Sequence, residues 1–179
     1  KRFLEGLTSN APVIATTATA NNRVVQDIEE QLGSNKETIR GRLARDSLKL
    51  DARKIPSHIT RYAYLVDQIK KMESSGIVYV STINEAKRVS EWLKSNDIDS
   101  FLYTGSVSHE KRKEIENKFL LDEIDVVVAT SALSMGFDKP NLGFVIHFNT
   151  PQSPVHYYQE VGRAGRKLAV AFGICLYGS

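Results

Sequence analysis

Two arginines three residues apart stand among glycines in the run Tyr157-Tyr158-Gln159-Glu160-Val161-Gly162-Arg163-Ala164-Gly165-Arg166. Glycine lets a backbone turn tightly and approach a large anion. Each guanidinium offers a planar, permanently charged fork that matches phosphate oxygens. Such a pair suits an arginine finger, which stabilises negative charge on a phosphoryl group in transfer. A plain glycine-rich turn with two solvated arginines would carry the same letters. A second run, Ala129-Thr130-Ser131-Ala132-Leu133-Ser134-Met135-Gly136-Phe137-Asp138-Lys139-Pro140-Asn141, follows the apolar Val126-Val127-Val128. It takes a buried strand into two hydroxyls, a small-residue loop, a glycine and an acid. The C-terminal ends of parallel strands form the ligand edge of open α/β sheets, and Asp138 suits a sugar hydroxyl. Alone, Thr130 and Ser131 would equally serve as helix caps and Asp138 as a turn residue.

The elements that must position these residues are legible as alternating short apolar runs and amphipathic helices, the pattern of βαβ units on a parallel sheet. Pro12-Val13-Ile14-Ala15-Thr16 reads as a buried strand. A helix capped at Asn21 or Asn22 follows, with Val24, Val25, Ile28 and Leu32 on its apolar face and Gly33 at its end. Residues 34–56 are polar and basic, with a weak alternation at Leu48, Leu50 and Ala52 that suggests a connector and then an edge strand. A domain boundary is placed there, dividing residues 1–46 from 47–179. Ser57 caps a helix carrying Ile59, Tyr62, Leu65, Val66, Ile69 and Met72, stopped by Gly76. Residues 77–80 form a strand. Thr82 and Glu85 make a capping box for a helix whose inner line is Ala86, Val89, Trp92 and Leu93. Strands follow at 98–103, 124–129, 142–148 and 172–177. Ser108 caps the helix between the first two, and Ser153-Pro154 starts the helix before the last.

Composition bounds the class without naming a function. The chain has 179 residues, 41% hydrophobic and 25% charged, as expected of a globular protein with its own core. Ten Lys and Arg stand against seven Asp and Glu in residues 1–60, and fourteen against fourteen thereafter. This mild excess falls short of what a dedicated nucleic-acid module shows. Cys175 is the single cysteine, which excludes an internal disulfide and a zinc cluster. No run approaches the roughly 20 apolar residues of a membrane span, and the first residues lack the apolar stretch of a signal peptide. A cytoplasmic location is expected.

The two chemical runs, about 20 residues apart with strand pattern between them, resemble the second RecA-like domain of superfamily-two helicases. Tyr157-Tyr158-Gln159-Glu160 before the glycine-arginine run, together with Met135-Gly136-Phe137-Asp138-Lys139-Pro140-Asn141, is similar to the RecQ-like DNA helicases. Ala15-Thr16-Thr17-Ala18-Thr19-Ala20 resembles motif III of that family, residues 77–82 its motif IV, and Val145-Ile146-His147-Phe148-Asn149-Thr150-Pro151 the strand before its arginine motif. The likeness implies an α/β, RecA-like fold with a mostly parallel central sheet and helices on both faces. It implies that Arg163, Arg166 and Gln159 act in ATP hydrolysis, with Asp138 and Gly136 also at the nucleotide. Thr130, Ser131, Ser81, Thr82, Thr104 and Gly105 would touch the DNA backbone, and Thr17 and Thr19 would couple hydrolysis to grip. The departures are Val80 and Ile83 around motif IV, Tyr103-Thr104-Gly105-Ser106 in place of Tyr-His-Ala-Gly, Asn149 for Asp, and Lys167-Leu168 after the last arginine.

No Gly-Lys dipeptide occurs, so a P-loop is missing. Asp122-Glu123-Ile124-Asp125 imitates a magnesium-binding acidic pair, but its strand follows the acids instead of preceding them. The chain is therefore expected to be inactive alone. ATP and Mg²⁺ would be held mainly by an absent first RecA-like domain in cis, and single-stranded and duplex DNA would be the other partners. Travel would be 3′ to 5′, as in the family, with no membrane involved. The competing reading is a degenerate, non-catalytic helicase module that binds nucleic acid or a partner. The intact arginine pair speaks against it.

Overall fold

The computed structural model describes residues 13–17, 22–32, 37–39, 41, 45–130, 133 and 137–178. They belong to two compact units, Lys1–Leu43 and Ala44–Ser179. In the first, helix α1 (Asn22–Leu32) turns Val24, Val25 and Ile28 to its less exposed side. The strand expected around Val13 is absent: residues 13–17 are irregular and exposed, Ile14 at 86%. An apolar run becomes a strand only where a neighbouring strand supplies the ladder. Pro12, Asn21 and Gly33 lie outside the described residues.

The second unit is built around six parallel strands: β1 (Leu48–Lys54), β2 (Gly76–Tyr79), β3 (Ser100–Tyr103), β4 (Val126–Ala129), β5 (Phe144–His147) and β6 (Ala171–Tyr177), in the order β1-β6-β5-β2-β4-β3. The central strands β5, β2 and β4 are buried throughout, as continuous apolar runs demand when both faces are covered. Their side chains alternate between two cores. Val78, Val128 and Ile146 join Leu65, Val89 and Leu93 on the side of helices α2 (His58–Lys70) and α3 (Ile83–Lys94). Ile77, Val127 and Val145 join Ile115, Phe119 and Val161 on the side of α4 (His109–Leu120) and α5 (Pro154–Val161). Helices thus cover both faces, as the sequence pattern implies. Trp92 departs from its expected core position: it is 41% exposed, meets Tyr62 edge-on, and donates from Nε1 to the Tyr62 carbonyl.

The four α-helix starts among the described residues of this unit use the expected caps. Ser57, Thr82, Ser108 and Ser153 each accept from the backbone N–H three residues on, satisfying a donor that the helix leaves open. Gly76 does not stop α2, which ends at Lys70; it opens β2. There the Phe144 ring lies 2.2 Å from where a Cβ would stand, so only glycine fits beside it.

Candidate functional site

Helix α5 carries the chain from the C-terminal end of β5 back past the sheet. The arginine loop, residues 162–166, therefore meets the segment 137–143 that leads into β5. Gly165 N donates to Leu142 O at 3.0 Å, and Lys167 N to Pro140 O at 3.0 Å. Gly165 has φ +70°, with Ala171 Cβ 3.0 Å from a hypothetical side chain, so both conformation and space require glycine. The two arginines take different places. Arg163 is 9% exposed and donates from a terminal nitrogen to Phe137 O at 2.7 Å. Arg166 is exposed and pairs with Asp138 Oδ1 at 2.7 Å. The structure thus brings Arg163, Arg166 and Asp138 together, the first as a buried strut and the other two at the surface. Gln159 is exposed on α5. Gly136 lies outside the described residues.

Two residues from the start of the unit hold this loop from beneath. Arg45 donates to Gly162 O at 2.8 Å and to Ala164 O at 3.3 Å, and Ser47 to Gly165 O at 3.0 Å. Lys139 holds the facing segment. Its side chain is fully buried, and Nζ donates to Phe119 O at 2.6 Å and to Asp122 Oδ1 at 2.5 Å. This contact, with hydrogen bonds from Asn141 and Ser75, keeps the Asp122 carboxyl below the usual carboxylate range. The acidic run that imitates a metal site is thus engaged in anchoring a loop, and it precedes β4 as its order in the sequence requires.

The hydroxyl-bearing candidates lie elsewhere, where strands β2, β3 and β4 end. Ser81 is exposed, and its backbone N–H donates to Asn149 Oδ1 at 3.0 Å. Thr82 is used as the α3 cap. Thr104 is 1% exposed and shares a 2.8 Å hydrogen bond with Ser106, while the neighbouring Gly105 is exposed with open space around it. Tyr103, just before them, donates to Glu116; burial and that contact push its hydroxyl up to about 12. Thr130 is half-buried. Thr17 is exposed in the first unit. Ser131 and Thr19 lie outside the described residues.

Several buried polar groups escape a reading by residue type. His147 and Glu160 share a 2.7 Å hydrogen bond at 2% and 8% side-chain exposure. Arg61 is 5% exposed and donates to Ile55 O and Phe148 O. The available signals are a histidine ending an apolar strand and a carboxylate three residues after Tyr157, on the helix side that packs inward. Cys175 is half-buried in β6, and burial raises its thiol.

Residues 60–167 match the family model for the helicase conserved C-terminal domain. The chain belongs to that family. The chain is 39% identical over 156 residues to the ATP-dependent DNA helicase RecQ of Bacillus subtilis, covering 86% of this chain and 26% of that protein. It is 34% identical over 169 residues to the RecQ-like DNA helicase blm-1 of Caenorhabditis elegans, covering 93% and 17%. The chain thus spans about a quarter or less of these relatives. The fold is shared with S. cerevisiae Dbp5 bound to RNA and ADP BeF3, with a TM-score of 0.82 at 20% identity, over 99% of this chain and 48% of that one. No helix among the described residues is long and apolar enough to cross a membrane.

Proposed function

We propose that this helicase C-terminal domain serves as the second motor domain of an ATP-dependent, RecQ-like DNA helicase that moves 3′ to 5′ on single-stranded DNA. One observation carries the reading: the arginine loop is locked against 137–143 while the Arg166 guanidinium stays exposed beside Asp138. A fixed loop with an accessible cation and a neighbouring acceptor suits a nucleotide presented from a second domain. Arg166 would meet phosphate oxygens, Asp138 the ribose, and Gln159 the nucleotide from α5, with Gly136 in the same segment. Arg163 would act with Arg166 and hold the loop at the reach that the exposed guanidinium needs. The first RecA-like domain in cis would hold ATP and Mg²⁺, so the isolated chain would not hydrolyse ATP.

Ser81, Thr82, Thr104, Gly105, Thr130 and Ser131 would face the DNA backbone. Gly105 is exposed with open space around it, room for a nucleic-acid backbone to approach closely, which suits a grip that is sequence-blind and salt-sensitive. Thr17 and Thr19 would link that grip to hydrolysis. RecQ-type relatives favour DNA as the track. An RNA-directed role is tested by the same assay.

The test is Mg-ATP hydrolysis by the full-length protein, with single-stranded DNA, with RNA and with neither, for wild type and Arg166→Ala. DNA should stimulate the wild type more than RNA does. Arg166→Ala should lower turnover by a factor of about 10³, with DNA affinity within a few-fold. Its surface ion pair contributes at most about 1 kcal/mol, so its melting temperature should hardly move. A wild type that hydrolyses no ATP with either nucleic acid would establish the non-catalytic module instead.

A further inference from the structure

Among the described residues, Ser81 and Arg163 belong to different parts of this domain. Ser81 and Asn149 stand where β2 and β5 end, whereas Arg163 follows the far end of α5. Between them runs a continuous buried polar unit. The His147 ring is stacked on Tyr79 at 5.4 Å and tilted against Tyr157 at 5.2 Å. Its Nε2 meets Glu160 Oε2 at 2.7 Å. Glu160 O accepts from Arg163 N at 3.2 Å. Burial pushes the Tyr79 hydroxyl up, with Arg163 and Glu160 acting on it in opposite senses. At the other end, Phe148 N donates to Tyr79 O at 2.9 Å, and Asn149 two residues past His147 accepts from Ser81 N. His147 and Tyr79 also line a small cavity that opens among Ser81, Asn149 and Gln152.

A histidine–carboxylate pair removed from water is costly unless it holds a geometry. Packing between two helices and a sheet needs no such pair. Here the pair fixes the one helix that ends in the arginine loop to the one strand that leads into Asn149. A displacement of the β5 end would therefore be transmitted to Arg163 through α5 instead of being absorbed by apolar slip.

We propose that His147 and Glu160 are positioning residues that tie the placement of the arginine loop to occupancy of the Ser81–Asn149 edge by single-stranded DNA. This rests on the motor role proposed above, and the experiment separates the two. In the full-length protein, His147→Asn, Glu160→Gln and the double variant are compared for DNA-stimulated kcat, KM for ATP, Kd for a fluorescent oligo-dT, and amide exchange of residues 162–166 with and without that oligomer. Ser90→Ala serves as the control, since it breaks a buried 2.9 Å hydrogen bond with Ser100 on the opposite face of the sheet.

Each single variant should lose at least tenfold in stimulated kcat, with KM and Kd within threefold. The double variant should be no worse than the singles, as expected of residues that act as a unit. Oligo-dT should slow exchange in 162–166 of the wild type and not of the variants. His147→Gln, which keeps a donor for Glu160, should recover part of the loss. Stimulation unchanged in the variants would overturn the coupling and leave the motor role intact. So would losses in kcat, KM and Kd that track the melting temperature as they do for Ser90→Ala. A wild type that is not stimulated by DNA would overturn the motor role and the coupling with it.

Discussion

Lys139 shows how a residue that reads as surface charge becomes a structural anchor. Its ammonium is buried 5.1 Å from the Phe119 ring centre and holds Phe119 O and Asp122. Through the backbone it fixes Asp138, its immediate neighbour. Removing the acid strands a buried cation, whereas removing the cation leaves only a half-exposed acid. Asp122→Ala should therefore cost about 2 kcal/mol in urea unfolding, below the 3–5 of a fully buried pair because Asp122 is partly solvated, and Lys139→Met should cost less. The pH dependence has a definite sign. Lys139 depresses the Asp122 carboxyl in the folded state, so its contribution is complete above the unfolded value near 4 and is lost as pH falls below it. The stability gap between wild type and Asp122→Asn should be constant from pH 7 to about 5 and narrow progressively as pH falls below about 4, through the depressed folded-state value; a gap that does not narrow on acidification would remove the ion pair from the account. Arg163, Arg166 and Asp138 could be picked out in the sequence by residue type and spacing, and the structure places them side by side. Lys139, Arg61 and the His147–Glu160 pair could not, because each is defined by a partner distant in the chain.

At the scale of elements, helix starts were easier to read than helix ends. Ser and Thr caps act through local hydrogen bonds that the sequence spells out. The ends of α3 and α4 instead place aspartate where glycine is usual. Asp97 has φ 62°, and the bonds Asp97 N to Lys94 O and Ile98 N to Leu93 O close the turn. Asp122 has φ 59° with the same pair of bonds, to Phe119 O and from Glu123 to Lys118 O. This is the Schellman arrangement, in which glycine avoids the steric cost of the left-handed region. Glycine is therefore a poor marker of helix ends in this chain: α2 ends at Lys70, and Gly76 opens β2, kept there by the Phe144 ring. The Val13 segment failed for a related reason, since strand formation depends on a neighbour that local letters do not report. The two aspartates should respond oppositely to one substitution. Asp97→Gly relieves strain at an exposed site and should stabilise by about 0.5 kcal/mol, after the entropy that glycine adds to the unfolded chain. Asp122→Gly gains the same relief but leaves Lys139 without its carboxylate, and should be net destabilising. Chemical denaturation of both variants checks the contrast, and equal signs would refute it.

At the scale of the molecule, the Ala44–Ser179 unit carries a six-stranded sheet with a core on each face, which is what a domain needs to fold alone. The start of the unit also holds the arginine loop. Arg45 and Ser47 precede β1 yet bond to three carbonyls of the arginine loop, and Ser47 O accepts from Ala171 N at 2.8 Å where β6 begins. Parallel pairing of β1 with β6 brings residues over a hundred positions apart into this contact. The segment leading into the edge strand therefore fastens the loop while β1 borders the sheet, and the two roles separate by truncation. A chain beginning at Ala44 keeps every bond in the fastening and should melt within about 2 °C of the 179-residue chain. A chain beginning at Leu48 keeps β1 but loses the Arg45 and Ser47 bonds. At roughly 1 kcal/mol for each well-made hydrogen bond, discounted for their partial exposure, it should melt about 5 °C lower. The loss should also be local, with amide exchange accelerated in 162–166 and in the first residues of β6, and unchanged in β2 and β4. Uniform acceleration across the sheet would mean that β1 itself had detached, and that residues 45–47 secure the edge strand instead of the loop.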